Sequence, residues 1–78
     1  MILPASLLFA LTLVYLHGPT GQQLAINPAE VSTLRAPLGG DHQHWGRGTK
    51  CIIVMANGLF NATAEDCPTV EKILREAQ

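Results

Sequence analysis

The side chains of this chain that could do chemistry fall almost entirely within residues 41–67. Two cysteines come first, Cys51 and Cys67. If Asn57-Gly58 supplies a two-residue hairpin turn, Ala56 faces Leu59 and Cys51 faces roughly Ala64. Cys67 then follows only three residues further on. A bridge within the ~5.5–6 Å Cα separation that disulfides prefer is expected. Closing a loop of this length contributes about 3 kcal/mol in the chain-entropy picture. The bland alternative is a pair of buried free thiols in a reducing compartment. A reactive Cys67 thiol at a helix amino-terminus is a further option, but Asp66 beside it disfavours the thiolate.

Asp41-His42-Gln43-His44 places two imidazoles and a carboxylate within four residues. In an extended segment, His-x-His turns both rings to one side, which suits Cu²⁺ or Zn²⁺. A tight site needs three or four ligands and supporting hydrogen bonds. Asp41, His42 and His44 are therefore weak metal candidates, read first as solvated loop residues, and no cofactor is expected. Asn61-Ala62-Thr63 fits the acceptor pattern for N-glycosylation. Trp45 and Arg47 are the candidate partner contacts, because Trp and Arg are enriched where binding energy concentrates.

Enzyme readings fail on inventory. No Ser/His/Asp arrangement has nucleophile-elbow chemistry, and no glycine motif links a strand to a helix as a phosphate cradle requires. Five Lys/Arg against six Asp/Glu, a net charge of −1, argues against nucleic acid and against a polybasic membrane patch.

These residues need a frame, and 78 residues allow one domain. Asn27-Pro28-Ala29-Glu30 has helix-start chemistry: a capping amide, Pro at the first helical position and Glu three after the cap. With Val31 and Leu34 on one face and Pro37 as a stop, the pattern predicts a short helix of two to three turns. Residues 38–50 carry Gly39, Gly40, Gly46 and Gly48 and read as a long loop. The β-branched run from Cys51 predicts a hairpin, 51–56 with 59–63, and the Ile52–Met55 stretch is a candidate for adding to a partner's sheet. Val70, Ile73, Leu74 and Ala77 recur at i, i+3, i+4 and i+7, which predicts an amphipathic helix over 67–77. The expected architecture is a small α+β domain: short helix, Gly-rich loop, hairpin, carboxy-terminal helix and one disulfide.

The remaining signal is compartment. Residues 7–16 are almost wholly apolar, His17-Gly18-Pro19 follows, and no charged residue precedes Glu30. This layout reads as a secretory leader over 1–21, cut somewhere in 18–25, with 22–78 as the mature domain. The rival is an uncleaved anchor. Fifteen apolar-rich residues span roughly 22 Å as a helix, short of the ~30 Å bilayer core. The expected function is a small secreted protein that binds a protein partner as ligand, inhibitor or accessory factor. The alternative is a membrane-anchored accessory subunit that retains residues 2–16.

Overall fold

The structure, a computed structural model, describes residues 12–77. The leader's apolar core through residue 11 lies outside them. Strand β1 (Val14–His17) pairs antiparallel with β2 (Gln23–Ile26), joining His17 to Gln23 and Val14 to Ile26. A single 3₁₀ turn, Pro28–Glu30, leads into β3 (Val31–Arg35). A one-and-a-half-turn helix, α1 (Asp41–Trp45), precedes β4 (Cys51–Met55) and β5 (Phe60–Thr63), and α2 (Cys67–Glu76) closes the chain. The second sheet is antiparallel in the order β3-β4-β5. This is a small α+β domain of two sheets and a carboxy-terminal helix.

The helix expected after Asn27 is one turn long. Asn27 does cap, its side-chain oxygen accepting from the Ala29 amide at 3.0 Å, and Pro28 takes the first position. The chain then extends, because Val31 and Thr33 are β-branched and favour a pleated surface. Val31 and Leu34 nevertheless reach the same core, through a bulge between Val31 and Thr33 that restores the inward phase. The three-residue spacing that mimics a helix face is a bulged strand.

The hairpin is where the sequence places it, one residue out of phase. Val54 pairs with Phe60 and Cys51 with Thr63. Gly58 N–H donates to Met55 O at 2.9 Å and Met55 N–H to Leu59 O at 2.8 Å, so three residues form the loop. Only Gly58 takes positive φ, at +88°, and Asn57 does not. This is the three-residue alternative to the two-residue turn, with glycine at the left-handed position. Gly58→Ala is expected to cost about 1 kcal/mol through that φ alone, read as a lowered urea midpoint. Since β4 lies between β3 and β5, it has no free edge, and Ile52–Met55 cannot extend a partner's sheet.

Helix α2 follows its sequence pattern. Asp66 caps it, accepting from the Thr69 amide at 3.0 Å, and Val70 and Leu74 are its buried residues. They pack with Val14, Leu16, Ile26, Cys51 and Ile53 in one core. Glu71 and Arg75 pair on the exposed face. Leu16 and Ile53 have no exposed surface at all.

Two of those core residues come from β1, which the secretory reading assigns to the leader. A cut within 18–25 severs β1 from β2 or clips β2, and takes Val14 and Leu16 from the core. Further ties hold β1 in place. Ala64 N–H donates to His17 O at 2.7 Å. The Glu65 carboxylate accepts from the His17 backbone N–H at 3.1 Å and from its ring Nδ1 at 2.8 Å. At Gly48 an added Cβ would stand 2.7 Å from Pro19 O, so the loop before β4 presses on the β1–β2 turn where no side chain fits.

The Glu65 clamp makes stability depend on pH. Burial would raise this carboxyl, but the His17 hydrogen bonds outweigh it and hold it below the ordinary carboxylate range. A carboxyl lowered in the folded state binds fewer protons there than in the unfolded chain. Its contribution is present above the unfolded value and is lost as pH falls through the lowered one. Urea midpoints measured from about pH 7 down to about pH 3 are expected to fall, and Glu65→Gln to flatten that fall. Equal slopes for the two proteins would remove the clamp from the account.

Candidate functional site

The register of the second sheet divides its side chains between two faces. Cys51, Ile53 and Met55 point to the core under α2. Arg35, Ile52 and Ala62 share a ladder on the opposite face, as do Thr33, Val54 and Phe60. Ile52 is fully buried on this outer side, whereas Phe60 keeps 43 % of its surface exposed. Cover therefore thins toward the hairpin end, where Leu59 is also exposed.

The segment over this face is held by charge and hydrogen bonds. Arg35 Nη1 donates to Asp41 Oδ2 at 2.7 Å, and the same oxygen accepts from the Leu38 amide at 2.7 Å. The Arg35 hydrogen bond and the Leu38 amide hold the Asp41 carboxyl below its usual range. His42 Nε2 donates to Thr49 O at 3.1 Å. These contacts fix α1 so that Trp45 lies half-buried at its end, with its ring centroid 6.4 Å from that of Phe60. The Arg35 guanidinium stands 5.7 Å above the Phe60 ring centroid, within cation–π range. His44 meets Trp45 edge to face at 4.7 Å.

The site is thus an aromatic cluster of exposed Phe60 and half-buried Trp45 with Arg35 beside it. Arg47, expected with Trp45 as a partner contact, is exposed, while the cation over the Phe60 ring is Arg35. Arg35 and Phe60 were not legible as contacts, because only the strand register brings residues 25 apart in sequence to one ring.

The metal arrangement dissolves. Asp41, His42 and His44 lie on α1 rather than in an extended loop, and residues two apart on a helix point to nearly opposite sides. Asp41 is committed to Arg35 and His42 to Thr49. Among the described residues, no group of three or more His, Cys, Asp or Glu could hold a metal ion.

Cys51 and Cys67 stand at disulfide distance, their sulfurs 2.00 Å and their Cα atoms 4.9 Å apart, tying β4 to the first residue of α2. The register slip moves Cys51 opposite Thr63 rather than Ala64, which lengthens the connection to Cys67 by one residue. Asn61 is half-buried on β5, paired with Ile53. Thr63 of the same triplet is fully buried, its hydroxyl donating to Glu65 O at 2.7 Å. No helix among the described residues is long and apolar enough to cross a membrane. Compared with known proteins, the chain matches no family, no curated sequence and no solved structure.

Proposed function

We propose that this protein is a small disulfide-stapled binding module that works outside the reducing cytosol and docks a protein partner on the Trp45–Phe60–Arg35 face. The observation that supports this most is the exposed ring of Phe60. It is flanked by a half-buried Trp and a guanidinium, on a sheet whose other face packs Cys51 and Ile53 into the core. Aromatic and arginine side chains on a rigid element suit a contact centre, since little entropy is lost in ordering them. The cysteine pair supports an oxidising compartment. Asn61, partly exposed on an edge strand, is the residue a glycosylating route would modify. In this reading the working protein retains β1. A second reading, a membrane-anchored accessory subunit, draws on that same retention of residues 14–16, because β1 belongs to the core.

The test is Phe60→Ala combined with Trp45→Ala. Phe60 is exposed and Trp45 half-buried, so the urea midpoint is measured alongside, and Phe60→Ala alone is expected to leave it nearly unchanged. Capture of a partner from the extracellular fraction of the source cells is expected to drop at least about 30-fold, the loss of a contact centre worth about 2 kcal/mol. Unchanged capture would move the interface elsewhere. Recovery of the native protein from cytosol with both thiols open to alkylation would end the extracellular reading altogether.

A further inference from the structure

We propose that the Cys51–Cys67 pair is a thiol-exchange site with a single point of entry. A small neutral thiol attacks Cys67, forms a mixed disulfide there and releases Cys51 into the core. The inference stands on the cysteine pair and is independent of where the protein works.

The two halves of the bridge both touch the core but differ in exposure. Cys51 lies in β4, the central strand, with no exposed surface, and belongs to the cluster that holds Leu16, Ile53 and Val70. Cys67 opens α2, beyond the exposed Asp66, and keeps part of its surface in solvent. An attacking thiolate must reach one sulfur and expel the other. The thiolate attacks Cys67 Sγ, the S–S bond breaks, and Cys51 leaves as a thiolate that takes a proton from water. A second thiol then resolves the mixed disulfide. Two thiols are oxidised to one small disulfide and the protein pair is reduced to two thiols, so the electrons balance.

Leaving-group chemistry alone favours the other direction. A thiolate at a helix amino-terminus leaves more readily than one in an apolar core. A pKa difference of one or two units changes exchange rates by about tenfold or less. Reaching Cys51 instead requires lifting α2 from Val70 and Leu74. Such openings of core elements populate to well under about one part in a hundred. Access outweighs leaving-group chemistry, and entry is at Cys67.

The experiment exposes the oxidised full chain briefly to 2-mercaptoethanol, quenches with N-ethylmaleimide, and locates both labels by tandem mass spectrometry of peptide 51–72. The mercaptoethanol adduct is expected on Cys67 at about tenfold or more over Cys51, with the maleimide on Cys51. In denaturant the preference should vanish, since the fold supplies it. The native rate should rise in proportion to thiol without a plateau. Equal adducts in the native protein, an excess on Cys51, or a rate that saturates at the helix-opening rate would each overturn single-point entry. So would finding both cysteines free in protein purified under air.

Discussion

A chain beginning at Gln22 is expected not to fold. Such a piece lacks β1, and with it Val14 and Leu16, which meet Ile26, Ile53, Val70 and Leu74 in the one core. Truncating a buried Leu to Ala costs about 2–5 kcal/mol by itself. The 66 described residues carry roughly 3–10 kcal/mol of net stability at 0.05–0.15 kcal/mol per residue. Losing a whole strand also removes the β1–β2 ladder and the hydrogen bonds between His17 and the Ala64–Glu65 corner. No remaining contact offsets that. Circular dichroism and amide proton dispersion of residues 22–78 should show an unfolded chain beside a folded full-length protein. A cooperative melt from the truncated piece would make β1 dispensable and favour a mature domain starting near residue 22.

Opening the bridge is the second large effect. Replacing both cysteines with Ala, or reducing the wild type, is expected to lower stability by about 3 kcal/mol, the chain-entropy value for a loop near this length. For a domain of this size each kcal/mol moves Tm by about 4–8 °C, so the melt should drop by roughly 12–24 °C. The reduced wild type is the cleaner comparison, because it keeps both sulfur atoms in place and so leaves no cavity at Cys51. An unchanged melt on reduction would leave the bridge without a stabilising role.

What the sequence showed follows from which interactions are local. Helix α2 was legible because cap, first-turn Pro and apolar spacing all lie within its own twelve residues, 66–77. The hairpin was legible from its β-branched run and Asn57-Gly58. Its phase was not, since two- and three-residue loops can use the same glycine. The run from Asn27 misled because its first turn is helical in fact, and a bulge gives a strand the inward spacing of a helix. Five residues of α1 were hidden among glycines, and their helical state comes from Asp41 locking to Arg35 and Leu38. Strand β1 was not legible as a strand, because an apolar run reads alike as a leader or as a buried strand, and the pairing with β2 and the packing under α2 lie outside the run itself. At the candidate site, Trp45 was visible by type alone, while Arg35 and Phe60 required the register.

The clamp between His17 and Glu65 joins positions 48 residues apart in sequence. At about 5–20 residues per second, the ribosome delivers the second partner some 2–10 s after the first. Until then β1 has its own hairpin and, once they emerge, Cys51 and Ile53 to pack against, but not α2. The core therefore stays open until the last element is made, with the apolar side chains of β1 uncovered. Folding of this domain is completed only when α2 brings Val70 and Leu74 to the core.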